Sequence, residues 1–303
     1  MKKVNILGLI VLFALVSCNN SKMLDANTPA KQNASKKTFV LTPNTFDFIG
    51  ESHNEGLDYV FDNVIKNNTK ITYNDVNNAS IEYVSKVNEY FKLTEGEIAK
   101  LQRELQSEEN KKFMVAALSQ KALSVDFLKK YVVLTPNQEQ FIIELSEFVN
   151  DDKLPLNETL NGIVKLELNA IEKFGEDEII DVLCLASIAK HSLNYWSLEV
   201  NQKKWLNVGV ELGYLDDDKP MYVNWHAVAV ADILGFGAGF PSGVTVGMVA
   251  GGLAAGVYTG GAAAGIGAVL GGFVGGCATG LAKATMASAA VLIAEWIADL
   301  FGI

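Results

Sequence analysis

Between Asp232 and Lys283 the chain carries no charged side chain, and glycine recurs through that run at intervals of four. Gly235, Gly239, Gly243, Gly247 and Gly251 form one series. Gly252, Gly256 and Gly260 continue it out of phase, and Gly271 with Gly275, then Gly272, Gly276 and Gly280, repeat the spacing. On a helix, a period of four draws a stripe of bare backbone down one face. Such a helix does not stand alone in water, because each interior Gly costs about 0.8–1.0 kcal/mol relative to Ala. Close packing has to compensate, either in lipid, where small-residue stripes let helices associate, or inside a protein. The run has room for two spans of about 20 residues each, with Thr259, Gly260 and Gly261 as the turn between them. Gly and Ala contribute little hydrophobicity, however, so a membrane hairpin and a fully buried hairpin both remain open from the sequence.

The start of the chain reads as an address. Lys2 and Lys3, the apolar stretch Val4 to Val16 and the small Ser17 before Cys18 follow the order of a secretory signal. Leu15-Val16-Ser17-Cys18 resembles the lipobox of bacterial lipoproteins. That resemblance implies a signal peptide over residues 1–17, diacylglycerol and a palmitate-type acyl chain on Cys18, and membrane lipid as a partner. Losing residues 1–17 removes Lys2 and Lys3 and takes the formal charge from −10 to −12. Such acidity disfavours nucleic acid and anionic headgroups, which are bound through Lys and Arg. Membrane affinity therefore has to come from acyl chains, several of which anchor stably where one holds only marginally.

Residues 18–38 are polar, include Pro29 and lack apolar periodicity. They read as a disordered tether with a reach on the order of 25 Å. Only Asp25 follows Cys18 closely, so the acidic run that directs some lipoproteins to the cell surface is missing. The expected location is the cell envelope, on the outer membrane facing the periplasm. With Cys18 acylated, Cys184 and Cys277 remain. Export permits a disulfide, but both sit in apolar or small-residue helical patterns and read as buried thiols, and their spacing suits no metal.

Residues 39–215 read as an all-α, multi-helix domain of six or seven helices. Ile81, Val84, Val87 and Phe91 fall at helical spacing, as do Phe141, Ile142, Leu145, Phe148 and Val149. Thr94 with Glu97, and Thr135-Pro136 with Gln138, are capping boxes. Asn157 can cap the helix holding Ile163, Leu166 and Ile171. Gly175 is a stop, and Glu176 to Glu178 give the next helix an acidic first turn. That helix, Ile179 to about Trp196, is apolar on most faces and is expected at the centre of the domain.

Asp216-Asp217-Asp218-Lys219-Pro220 marks a boundary before a second region, 222–303. The spaced oxygen ligands and mid-loop Gly of an EF-hand are lacking, so the triple acid reads as a solvated turn. Tyr222, Trp225 and His226 suit either a membrane interface or a staple onto the helical domain. From Ala284 to Ile303 bulky residues return at Val291, Ile293, Trp296, Ile297, Leu300 and Phe301, with Glu295 and Asp299 on one side. This reads as a terminal amphipathic helix whose acidic polar face favours covering the glycine hairpin over lying on lipid.

Signals for chemistry are sparse. Glu51-Ser52-His53-Asn54-Glu55-Gly56-Leu57-Asp58 gathers a His among acids but has no second His at the metalloprotease spacing. Ser52 or Asn54 as an N-cap, with the acids as a first turn, accounts for it. His191 reads as a hydrogen-bonded core residue, and His226 has no partner identifiable in sequence. Gly235-Phe236-Gly237 and Gly265-Ile266-Gly267 lack the Lys of a P-loop and the strand of a dinucleotide site. The glycine stripe over Gly235 to Gly280 resembles the glycine-zipper segments of small outer-membrane surface-antigen lipoproteins and the GxxxG helices of two-peptide bacteriocins. The expectation is a non-enzymatic lipoprotein without metal or cofactor, in a structural or interaction role. It carries a membrane-associating glycine-zipper hairpin that can also self-associate or receive a partner helix. A toxin-like membrane-permeabilising protein and a hydrolase using His53 and nearby acids are the alternatives.

Overall fold

The computed structural model describes residues 42–68, 71–88, 90–213, 223–241 and 264–301. Residues 1–41, hence the signal segment, Cys18 and the tether, lie outside the described residues. So do Gly243, Gly247, Gly251, Gly252, Gly256 and Gly260, the turn at 259–261 and the boundary at 216–220. The described residues form helices and connecting turns, with no strand among them.

Local signals set many of the helix starts. α1 (Asp47–Val60) and α2 (Tyr73–Glu82) each end in a single wider turn, Phe61–Ile65 and Tyr83–Val87, where hydrogen bonding shifts to the π pattern. α2 begins on a capping box made by Thr72 and Asp75. α3 (Glu95–Leu105) begins on the box of Thr94 and Glu97, and α6 (Pro136–Val149) on that of Thr135 and Gln138 with Pro136 in the first turn. Between them stand α4 (Glu108–Leu118), capped by Ser107, and the short α5 (Val125–Leu128), capped by Ser124. Each such cap contributes about 1 kcal/mol by satisfying an otherwise unpaired N–H.

α7 (Leu156–Lys173) starts directly after Pro155, which places Asn157 inside the first turn and not at the cap. Proline fixes its own φ and has no N–H to satisfy, so the start moves to it. α8 (Glu176–Ser197) follows Gly175, and α9 (Glu199–Glu211) closes at Gly213, whose φ of +71° is the left-handed stop that glycine adopts without strain. α10 spans 225–241 and α11 is a single helix of 38 residues, Ala264–Phe301. No break separates the glycine-rich stretch from the apolar stretch after Ala284. The terminal amphipathic segment is the second half of one rod about 57 Å long.

The interior is one continuous apolar cluster to which both regions of the sequence contribute. α8 lies at its centre, packed against α1, α6, α7 and α9, with Leu183, Cys184, Ala186, Ile188 and Ala189 almost fully buried. α11 lies against α1, α2, α3 and α4. Its segment Gly272–Ala294 is long and apolar enough to cross a membrane by length and composition, yet 83% of it is buried inside the protein. The N-terminal helices thus form a jacket around the C-terminal ones.

Candidate functional site: a buried polar seam along the glycine helices

The inward face of α1 presents Ile49, Gly50, His53, Gly56, Leu57 and Val60, three and four residues apart. His53 is therefore in mid-helix, and neither Ser52 nor Asn54 caps anything; the position before the helix is Phe46. His53 Nε2 lies 3.2 Å from Asp232 Oδ1 on α10, and both side chains are fully buried. The two atoms lie close without hydrogen-bond alignment. The other oxygen, Asp232 Oδ2, accepts hydrogen bonds from the Ser192 hydroxyl at 2.5 Å and the Trp196 indole N–H at 2.8 Å. Ser192 and Trp196 stand four apart on α8, so one helix face delivers both donors. Asp232, the charge that opens the uncharged run, is thus held by α1 and α8 together.

The charge that closes the run is held too. Lys283 Nζ lies 2.9 Å from Glu104 Oε1 on α3, with the lysine side chain 6% exposed and the glutamate 32%. Between these two contacts α10 and α11 meet through glycine. A Cβ on Gly235 would stand 2.7 Å from the Lys283 carbonyl oxygen and 2.8 Å from Ala284 Cα; one on Gly239 would stand 2.8 Å from Gly280 Cα. Gly280 in turn gives room to the Phe236 ring, 2.8 Å from where its Cβ would be. Gly275 is buried within α11, and Gly271 belongs to the same helix. Gly237, off this line, faces Leu128 and Leu185 at ordinary contact distance.

A third buried contact joins α1, α7 and α8. Lys190 Nζ lies 2.8 Å from Asp47 Oδ1 and 2.9 Å from Glu167 Oε1. Burial pushes the fully enclosed Glu167 carboxyl up to about 7, against the pull of Lys190. Burial also raises Asp47, but His191 and Lys190 outweigh it and hold that carboxyl below its ordinary value. His191 is half-buried and stands 3.8 Å from Asp47.

These groups do not compose a nucleophilic site. A triad needs the imidazole on the hydroxyl, whereas Ser192 gives its hydrogen to Asp232 and His53 faces the other carboxylate oxygen. The acids adjacent to His53 in sequence serve elsewhere: Glu55 accepts from the Tyr83 hydroxyl, and Asp58 from Tyr195 and Lys204. Neither of two clefts on the surface is lined by His53, Ser192 or Asp232. The larger, about 270 Å³, is apolar through Leu128, Ile142, Val182 and Phe236. Its carboxyl, Asp181, accepts from Gln138 at 2.8 Å and is pushed up to about 7, chiefly by burial. The smaller, about 170 Å³, lies beside Trp196, Trp225 and His226, and burial lowers the His226 imidazole. No group of three His, Cys, Asp or Glu side chains among the described residues is placed to hold a metal ion.

Cys184 and Cys277 are free, fully buried thiols. Sequence reading missed Lys190 and Glu167 as a buried pair, although a lone Lys in the apolar stretch of α8 was the available signal. The distant partners of His53 and Lys283 had no signal of that kind. No protein-family model matches the chain, and no curated protein or solved structure resembles it significantly, so the residues themselves are what bears on function.

Proposed function

We propose that this is an exported, lipid-anchored envelope protein. Its helical jacket keeps an uncharged, glycine-rich pair of helices packed inside the protein, and its role is structural or interactive and not catalytic. The observation that carries this reading is the enclosure of α10 and α11, with Asp232 and Lys283, the residues that bound the uncharged run, each buried against a partner on the jacket. Enclosure supports a helix pair that is shielded from water by protein while the acylated Cys18 and its tether hold the molecule at the outer membrane. Within that reading the glycine stripe is a zipper between α10 and α11. Metabolic labelling with a lipid precursor tests the anchor: the chain takes up label, and Cys18→Ser abolishes it and moves the protein to the soluble fraction. Label retained on the Ser variant overturns the lipoprotein reading.

A second reading is favoured by one observation, the capacity of Gly272–Ala294 to cross a bilayer by length and composition. A jacket that opens would deliver this helix and α10 to a membrane and permeabilise it, as the bacteriocin resemblance implies. Dye release from phosphatidylethanolamine and phosphatidylglycerol vesicles separates the two: release at nanomolar protein supports permeabilisation, and intact vesicles at micromolar protein remove it.

A further inference from the structure

Other acids of the interior have a cation beside them: Glu167 and Asp47 share Lys190, and Glu104 holds Lys283. Asp181 has none among the described residues. Gln138 Nε2 donates to its Oδ2 at 2.8 Å, and the charge acting on it is that of Glu178, a second acid one turn earlier on α8. Gln138 is itself fixed: its Oε1 accepts from the Thr135 N–H at 3.0 Å, and its main-chain N–H donates to the Thr135 hydroxyl at 3.2 Å. Thr135 and Gln138 are thus committed to each other, while Asp181 Oδ1 is left without a donor among the described residues.

That carboxyl lines the cleft of about 270 Å³ formed by α5, α6, α8 and α10, whose other walls include Leu128, Ile142, Val182, Leu185 and Phe236. Small-molecule sites are built in this way, with apolar walls for affinity and a few polar groups to fix orientation. A cavity of about 150 Å³ accepts benzene, so this cleft has room for a ring with a short side chain. We propose that the cleft is a binding site for a small primary amine with an apolar body, its ammonium on Asp181 and its hydrocarbon among Leu128, Ile142, Val182, Leu185 and Phe236. The ammonium supplies both things that Asp181 lacks, a donor for Oδ1 and an opposite charge. Burial pushes Asp181 up to about 7, and a cation beside it draws it into the carboxylate form. An anionic ligand is repelled by Asp181 and Glu178, and a neutral alcohol leaves the carboxylate without its counter-charge. A phosphatidylethanolamine headgroup is unsuited, because its phosphate would come with its ammonium toward the same two acids. The site belongs to the helical domain and does not depend on acylation of Cys18.

The test is a titration of the full chain at slightly alkaline pH, with Ile, Leu and Val methyls isotope-labelled and followed by methyl NMR. The probes are phenethylamine and two analogues of matching shape, phenethyl alcohol and phenylpropanoate. The expected result is saturable, submillimolar binding of the amine that shifts the Leu128, Ile142, Val182 and Leu185 methyls. The alcohol binds at least tenfold more weakly, and the carboxylate leaves those methyls unmoved. Asp181→Asn keeps the shape of the side chain and removes its charge, so it weakens the amine at least tenfold and leaves the alcohol within twofold. Absence of shifts at tens of millimolar amine, shifts confined to methyls elsewhere, equal affinity for amine and alcohol, or an unchanged amine affinity in Asp181→Asn each overturns the proposal. Should the Asn variant fail to fold, the ranking of the three probes on the parent decides by itself.

Discussion

Replacing Gly235 by Ala sets two known effects against each other at one methyl group. Alanine is the better helix former by about 0.8–1.0 kcal/mol, so an unobstructed site gains stability. At Gly235 the new carbon would lie 2.8 Å from Ala284 Cα and 2.7 Å from the Lys283 carbonyl oxygen, both main-chain atoms. Carbon atoms settle at about 3.5–4.0 Å, so α11 has to recede by at least about 0.7 Å. It cannot recede freely, because α1, α2 and α4 pack against it and close-packed interiors absorb little displacement. Overpacking of this kind costs about 1–3 kcal/mol, which leaves a net loss of up to about 2 kcal/mol. Gly237, two residues away, is the internal control: its new methyl meets only Leu128 and Leu185 side-chain carbons at 3.4–3.5 Å, and the substitution stabilises by about 0.4–1 kcal/mol. Urea unfolding of the purified parent, Gly235→Ala and Gly237→Ala, followed by far-ultraviolet circular dichroism, gives the two differences directly. If both variants shift the midpoint in the same direction by the same amount, the close approach of α10 and α11 is not what the glycines are for.

Asp232→Ala leaves the Ser192 hydroxyl and the Trp196 indole N–H buried without their acceptor, and at about 1–3 kcal/mol for each stranded donor should cost about 2–6 kcal/mol in the same unfolding assay. Lys283→Met should cost far less, on the order of 1 kcal/mol, because its partner Glu104 is 32% exposed and can rehydrate; equal losses for the two variants contradict that ordering. Stability should also fall as pH rises. Glu167 has a folded-state pKa of about 7 against a model value of 4.5, so the folded state holds the proton more tightly. Its contribution is complete below pH 4.5 and is lost through pH 7, on the order of 3 kcal/mol in all. Glu167→Gln should flatten that slope, and an unchanged pH profile of the urea midpoint sinks the assignment. Asp47, held low, acts in the opposite sense only below about pH 4.

Features set by neighbouring residues were legible in the sequence. The boxes at Thr94 and Thr135 form as their spacing dictates, and the same spacing at Thr72 and Asp75 signals α2 equally well. The central place of α8 followed from a helix apolar all round. The wider turns after α1 and α2 left no trace in the pattern, so Phe91 continues no helix even though it is buried in the core. The segment around His53 misled for a different reason: a His among acids and small polar residues is equally consistent with a helix start and a helix middle. What decides is the apolar spacing of Ile49, Leu57 and Val60, together with a carboxylate far along the chain. The glycine period announced close packing, but α1, α2 and α4 as the surrounding wall emerge only when the whole chain is folded.

The polar contacts that hold α10 and α11 also set an order of assembly. Glu104 and Lys283 are 179 residues apart, and His53 and Asp232 are equally distant. Contacts of such range form late, because the loop between them has to be closed before any of its interactions are gained. A chain made at about 5–20 residues per second presents α1 to α4 well before the helix that fills the space between them exists. Until α11 arrives, those helices expose an unfilled apolar interior. The molecule is therefore most prone to aggregation during its own synthesis, and its yield should depend on a holding chaperone more than its final stability suggests.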